Sequence, residues 1–415
     1  MTDTRFTIDR LGAQGDGIAR ADGGDVFIPY TLPGEEVTAA RLRDRADLLA
    51  VLASSPQRVA PVCRHFTECG GCALQHLEAV AYRDWKRERV VQALRSKHIE
   101  TDVGALIPCA AGARRRATFA VRRTEAGMVF GFNRHLSPEI VPIVECPILR
   151  PEIVAAFPML RALAERVCAT AAPFHLSVTL TASGLDVAAM GGGRLSDERR
   201  RMAADFAIRE GLARLSVDGG EIVVEPRKPV VTFGDVPVAI PPGVFLQATE
   251  AAERAMAALV GDHLRKAKRV ADLFSGCGSF ALRLAARSEI QAVESDSAAL
   301  AALDRGFRFA KGLKRVTTEK RDLFRRPLTF KELNAFDGLV FDPPRAGAED
   351  QSRQIARSDV PFVAAVSCNP VTLARDLSIL LEGGYRLVSV TPIDQFLWSP
   401  HVEAVALLEK PRKRR

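Results

Sequence analysis

The chain has 415 residues, with 58 basic against 50 acidic side chains, a formal net charge of +8 and a pI near 9.2. Hydrophobic residues make up 47% and charged residues 26%, which excludes a disordered polypeptide, and no apolar run reaches the roughly 18 residues of a membrane span. Met1 to Leu11 carry charges and no apolar stretch, so no secretory signal is expected and the cytoplasm is the expected location. Eight cysteines in such a chain point to metal binding or catalysis before disulfides.

The positive charge is unevenly placed. Residues 1–55 hold 6 basic and 9 acidic side chains, residues 56–235 hold 25 and 20, and residues 236–415 hold 27 and 21. A polyanionic partner is therefore expected to meet the middle and C-terminal regions, through clusters such as Arg114 to Arg116, Arg122 with Arg123, and Arg199 to Arg201.

Residues 1–55 read as short strands cut by glycine and proline turns at Gly12, Gly15, Gly17, Gly23 and Pro33-Gly34, a pattern that predicts a small β-barrel of the oligonucleotide-binding type. Residues 75–97 predict a helix through Tyr82, Trp85, Val90 and Leu94, with the option that it packs on the C-terminal domain. Strands are predicted at 117–121, 129–132, 176–180 and 221–224, so residues 56–235 form a β-rich central domain. From residue 236 to 415 the pattern alternates. Strands at 270–274, 290–293, 316–318, 338–341 and 362–366 hand over to helices at 280–286 and 298–310, which predicts a doubly wound α/β sheet.

In such a sheet the ligand site lies beyond the carboxyl ends of the strands. Asp272, Glu294, Asp322, Asp342 and Cys368 all fall at or just after predicted strand ends. Gly276 and Gly278 make a tight turn after Asp272 that lets a ligand approach the backbone, and Glu294 is placed to accept two ribose hydroxyl bonds. The third glycine of a dinucleotide fingerprint is missing, which argues against nicotinamide or flavin chemistry. Asp342-Pro343-Pro344 holds an extended strand end able to present a carboxylate and carbonyls to a planar base. Cys368 in that crevice is a candidate nucleophile, with His401 and Glu403 as candidate bases near the last strand.

Cys63, Cys69 and Cys72 bring three sulfurs into ten residues around Gly70-Gly71, and Cys146 is a candidate fourth. Four thiolates suit zinc or a [4Fe–4S] cluster equally.

These segments, in this order, resemble the S-adenosylmethionine-dependent RNA 5-methyluridine methyltransferases, in particular the iron–sulfur branch acting on 23S ribosomal RNA. The likeness spans nearly the whole chain. It implies a TRAM domain over residues 4–55, carrying Gly15 to Ala19 and Leu32 to Glu35, then a central domain with a [4Fe–4S] cluster on Cys63, Cys69, Cys72 and Cys146, and a class I methyltransferase domain over 236–415. By the same resemblance Gln247 in Phe245-Leu246-Gln247, with Phe274, Ser279, Glu294, Asp322 and Asp342, binds S-adenosylmethionine. Ser367 to Pro370 with Thr372 to Asp376 is similar to the segment around the family's nucleophile, Cys368 here, and His401-Val402-Glu403 to the segment carrying its base, Glu403 here. Two departures stand out: Thr249 replaces a common Asn, and Phe396 to Pro400 replaces the usual Phe-Pro-x-Thr run.

The implied reaction adds the Cys368 thiolate to C6 of a uridine, methylates C5, and removes the C5 proton with Glu403. The target uridine must then be single-stranded or flipped out. A monomer acting on 23S rRNA, without an obligate protein partner, is expected. A transfer-RNA methyltransferase, an amino-methyltransferase for adenine or cytosine, and a non-catalytic RNA-binding factor are the rival readings.

Overall fold

The structure, a computed structural model, describes residues 3–21 and 23–411, so the end of the basic run at Lys410 to Arg415 lies outside the described residues. Near the N-terminus one extended segment serves two partners. Its first part, Asp3–Thr7, pairs with Glu36–Leu42, and its second, Arg10–Leu11, pairs with Gly17–Ala21. The sheet continues from Gly17–Ala21 through Gly24–Ile28 and Arg45–Ala53 to Glu36–Leu42, so the shared segment closes it on itself. Alternation along the strands sends Phe6, Val26, Ile28 and Val37 to the inside.

The central region is a seven-stranded sheet in the order Glu221–Val224, Arg214–Val217, Gly184–Met190, Phe174–Thr181, Arg116–Thr124, Gly127–Asn133, Ile140–Pro142. The four strands predicted here are present, each lengthened at one or both ends except Glu221–Val224. Helix Phe157–Val167 buries Phe157, Leu160, Leu163, Ala164 and Val167, the spacing of one helical face, in the same core as Phe119, Phe130 and Leu176.

The helix predicted at 75–97 runs from Ala79 to Arg95. Glu78 stops it at the front by accepting bonds from the Val80 and Ala81 amides. Its Val90, Val91 and Leu94 share a core with Leu339, Leu377, Leu380 and Val390, so this helix packs on the C-terminal sheet.

That sheet has seven strands in the order Val316–Lys320, Glu289–Glu294, Arg269–Leu273, Gly338–Phe341, Phe362–Ser367, Glu403–Glu409, Arg386–Ile393. The first five are parallel, and Glu403–Glu409 runs antiparallel to both its neighbours. Helices cover both faces, so the middle strands read as unbroken apolar runs, and all four residues of Gly338–Phe341 are buried. Strand order reverses between Arg269–Leu273 and Gly338–Phe341, which opens a crevice at their carboxyl ends. The helix expected at 280–286 shrinks to Ala281–Leu284, because the chain turns there and the Ala285 carbonyl accepts the Lys314 amide. Gly306 lets helix Ser297–Phe309 lie close on the hairpin Val230–Phe233 and Val236–Ala239; an added Cβ would stand 2.8 Å from Val238.

Candidate active site

The crevice is a cavity of about 580 Å³. Gln247, Phe274, Ser279, Glu294, Asp322, Asp342, Cys368 and Glu403 all line it, as do Arg345, Gln395 and His401. Buried strand Arg269–Leu273 delivers the first part. Phe274 follows it with a φ of 62°, a left-handed conformation uncommon for a non-glycine residue, and Gly276 and Gly278 turn with φ of 52° and 94°. A Cβ at Gly278 would meet Leu303 at 2.8 Å, so the turn needs glycine twice over. Beneath it Asp272 accepts the Ala281 amide at 2.8 Å through Oδ2, while its fully buried Oδ1 finds no partner among the described residues.

Glu294 ends the neighbouring strand. Its Oε2 accepts the Gly276 amide at 3.1 Å, and Oε1 accepts the Ser295 amide and hydroxyl and the Asp296 amide at 2.6, 2.9 and 3.0 Å. Asp322 is held by the amides of Phe324 and Arg325, and the Phe324 ring lies 5.5 Å from that of Phe274. A glycine turn, a fixed carboxylate on the next strand and an aromatic pair suit a nucleoside.

On the other side, strand pairing brings Cys368 and Glu403 toward each other. Ser367 pairs with Ala404 across antiparallel strands, so the register continued by one step sets Cys368 opposite Glu403. Asn369 caps the helix that follows, accepting the Val371 amide, and Pro370 opens that helix without needing a donor. Asn369 also donates to the Arg345 carbonyl at 3.0 Å, which ties the Asp-Pro-Pro-Arg loop to the cysteine loop.

Two carboxamides join the halves. Gln247 Nε2 donates to Asp342 Oδ2 at 2.8 Å. Gln395 Nε2 donates to Gln247 Oε1 at 2.8 Å and to Glu403 Oε2 at 2.5 Å, while its Oε1 accepts the Ala248 amide at 2.9 Å.

The cavity opposes ionisation. Burial pushes Asp272 well above the usual carboxylate range, with Asp342 and Glu294 adding to it. Burial raises Asp342 to about 7 against the Gln247 bond, and raises Glu403 well above its ordinary value, helped by Asp342 and opposed by Gln395. The Cys368 thiol is pushed up to about 11 by burial and then by Glu403 and Asp342, with Arg345 the nearby cation that opposes them. His401 is lowered to about 4 by burial and Arg345. An Arg345 guanidinium nitrogen lies 3.3 Å from His401 Nδ1 and can only donate, so the neutral ring carries its proton on Nε2.

The four cysteines of the metal expectation come to one place. Cys63, Cys69, Cys72 and Cys146 line one further cavity, and Cys72 is raised to about 12 by burial, with Cys146, Cys69 and Cys63 adding to it. Yet among the described residues no group of three or more His, Cys, Asp or Glu side chains is placed to hold a metal ion. Short sequence spacing holds Cys63, Cys69 and Cys72 together and the fold brings Cys146 to the same cavity, without closing the four into a ligand set.

One basic cluster also changes meaning. Arg115 is buried, with its guanidinium on Glu253 and the Gln247 carbonyl, and Arg116 donates to the Leu246 carbonyl. These arginines brace the Gln247 segment from behind. Thr249 is likewise structural: buried, it caps helix Glu250–His263 by accepting the Ala252 amide. The segment Phe396 to Pro400 anchors other parts of the chain. Tyr82 Oη accepts the Trp398 amide at 2.7 Å, and the Trp398 carbonyl accepts the amides of Ala73 and Leu74.

Sequence reasoning missed Lys86, Tyr82, Asp394 and Gln395. Asp394 bonds Lys86 and Tyr82 at 2.7 Å each, more than 300 residues away in the chain, and no local pattern signals such a pair. Asp394 and Gln395 do sit one strand end before His401 and Glu403, the positional signal that could have found them.

A sheet of this order with its cavity at the switch point is the class I methyltransferase α/β fold. Comparison with known proteins agrees. The profile of the tRNA (Uracil-5-)-methyltransferase family matches residues 241–411. An uncharacterized RNA methyltransferase of Mesorhizobium japonicum is 70% identical over 411 residues, covering 99% of each chain. The 23S rRNA (uracil(1939)-C(5))-methyltransferase RlmD of Halomonas elongata is 36% identical, covering 98% of this chain and 89% of that protein. The crystal structure of Pyrococcus abyssi tRNA (uracil-54, C5)-methyltransferase, solved with S-adenosyl-L-homocysteine, superposes with a TM-score of 0.76 over 97% of this chain and 99% of that one; at 24% identity this is a likeness of fold. The chain belongs to the RNA 5-methyluridine methyltransferase family, whose reaction takes its methyl group from S-adenosylmethionine. No helix among the described residues is long and apolar enough to cross a membrane.

Proposed function

We propose that the protein methylates C5 of one uridine in 23S ribosomal RNA, with Cys368 as nucleophile and Glu403 as base. The observation that carries this reading is the register that sets Cys368 opposite Glu403 on the wall of a cavity also lined by Gln247, Glu294 and Asp342. Uracil C5 attacks an electrophile only after something adds to C6, so a thiol alone would not suffice, and a base alone would have nothing to resolve. Here the two stand one step beyond the Ser367–Ala404 pair.

Glu294, Phe274, Ser279, Asp322 and Gln247 would hold the methyl donor, and the fixed Glu294 carboxylate and glycine turn fit its nucleoside part. When bound, the donor supplies a methyl group on a sulfonium, whose positive charge favours the ionised forms of Asp342, Glu403 and Cys368. Arg345 adds to that by holding positive charge near the thiol. Cys368 Sγ attacks C6, and C5 becomes nucleophilic. After methyl transfer Glu403 takes the C5 proton, the C5–C6 double bond re-forms, and the Cys368 thiolate leaves. Asp342 orients the uracil edge or the donor from its Gln247 bond.

The 23S assignment rests on the Halomonas relative. A transfer-RNA uridine is the second reading, favoured by the name of the matching family profile. The closed N-terminal sheet supports a TRAM-like domain over 1–55, followed by a central domain over 56–235 and the catalytic domain over 236–415. A [4Fe–4S] cluster on Cys63, Cys69, Cys72 and Cys146 belongs to the same proposal, supported by four thiols around one cavity. Work in the cytoplasm as a monomer completes the reading.

The test is nucleoside mass spectrometry after anaerobically purified protein acts on unmodified 23S rRNA and, separately, unmodified transfer RNA with labelled donor. Label in 5-methyluridine from 23S rRNA alone is expected. Label from transfer RNA alone selects the second reading, and label on adenine or cytosine overturns the Cys368 chemistry.

A further inference from the structure

Glu403 is buried, and its two oxygens are not equivalent. Oε2 takes a hydrogen from Gln395, whereas Oε1 has no partner among the described residues. The orientation of the Gln395 amide is fixed by its third bond. The Ala248 backbone N–H can only donate, so the atom it meets at 2.9 Å must be the Gln395 oxygen, and both Nε2 hydrogens are left for Gln247 and Glu403. Gln247 in turn accepts from Gln395 with its oxygen and donates with its nitrogen to Asp342. The result is a chain in which Gln395 donates both ways, to Glu403 on one side and through Gln247 to Asp342 on the other, so that it ends on a carboxylate at each side.

Gln395 is itself held in place. Its neighbour Asp394 is buried and bonded to Lys86 and Tyr82 at 2.7 Å each, and it accepts the Phe396 amide at 3.0 Å. The loop entering the site therefore cannot shift without breaking a buried ion pair.

Resting on the reading of Glu403 as the base, we propose that Gln395 is a positioning residue that holds Glu403 with Oε1 as the free, proton-accepting oxygen and links that orientation to the donor-binding Gln247. In the step concerned, Oε1 accepts the C5 proton, the C5–H electron pair becomes the C5–C6 double bond, and the S–C6 pair returns to Cys368 as thiolate. Gln395 touches neither the uracil nor the proton. Without it the carboxylate turns freely, and the resolving step slows while the preceding attack and methyl transfer do not depend on it. The methylated covalent complex then accumulates.

The experiment compares the wild type, Gln395→Leu, the near-isosteric Gln395→Met and Glu403→Gln on a substrate 23S rRNA fragment with S-adenosylmethionine, reading turnover, KM for the RNA, and protein–RNA complex surviving denaturing electrophoresis. Expected is a loss of kcat of about 10-fold to 100-fold in both Gln395 variants, as for loss of a hydrogen bond to a charged group, with KM for RNA little changed and adduct above wild type. Glu403→Gln should give the most adduct. Gln395 variants that turn over like the wild type, or that lose turnover without gaining adduct while Glu403→Gln gains it, overturn the positioning role. Absence of adduct in Glu403→Gln as well, with turnover retained there, overturns the base assignment itself and with it this inference.

Discussion

Lys86 and Asp394 meet at 2.7 Å although 308 residues separate them, and both side chains are closed to solvent. The pair fastens the helix Ala79–Arg95 to the loop that leads into the last strand of the catalytic sheet. A buried carboxylate left without its cation is strongly destabilising, by about 3–5 kcal/mol. Lys86→Met should therefore lower the unfolding free energy by that order, read as a lower denaturant midpoint, and adding Asp394→Leu should recover part of the loss. If Lys86→Met unfolds like the wild type, the pair is not holding this junction.

The pH behaviour of Cys368 follows from its neighbours. The thiol is raised to about 11 by burial, Glu403 and Asp342, so in the free enzyme the thiolate fraction rises about tenfold per pH unit through the neutral range. Peptide-resolved alkylation at Cys368 should be slow at pH 7 and climb steeply toward pH 10. Glu403→Gln removes the largest charge that raises the thiol and should speed alkylation, whereas Arg345→Ala should slow it. A fast, pH-independent reaction in the free wild type would contradict this electrostatic balance.

Asp272 links stability to pH. Burial holds its folded value well above the usual carboxylate range, so the folded state keeps the proton while the unfolded chain releases it above about pH 4. The contribution is therefore full at acid pH and is lost as the pH rises. Asp272→Asn preserves an acceptor for the Ala281 amide and cannot ionise, so its melting temperature should gain on the wild type between pH 4.5 and 7. Parallel curves would show that Asp272 does not titrate differently on folding.

Much of this was legible locally. The strand Gly338–Phe341 and its Asp342 end follow from a short apolar run stopped by two prolines, and the turn at Gly276 and Gly278 follows from glycines, which take positive φ without a Cβ clash. The cross-strand meeting of Cys368 and Glu403 depends on an antiparallel last strand inserted beside Phe362–Ser367, which no periodicity reveals. For the same reason Arg115, read as part of a basic patch, is found on buried Glu253, since burial of a charge is decided by distant packing. Cysteine spacing kept Cys63, Cys69 and Cys72 at one cavity, whereas the arrival of Cys146 there is decided by the fold.

The cysteine cavity makes its own prediction. Anaerobic reconstitution with iron and sulfide should give an iron–sulfur absorption band in the wild type and a much weaker one in Cys72→Ser, whose thiol all three of the others raise. Iron binding unaffected by Cys72→Ser, or zinc alone retained in the native protein, would remove the cluster from the proposal.

Release of tritium from 23S rRNA labelled at uridine C5, counted beside methyl incorporation, tests the Cys368–Glu403 chemistry most directly. Tritium release should match methyl transfer one for one, depend on S-adenosylmethionine, and vanish in Cys368→Ala. Methyl incorporation without tritium release, or undiminished turnover in Cys368→Ala, would show that the methyl group goes elsewhere than C5 or arrives there without the thiol.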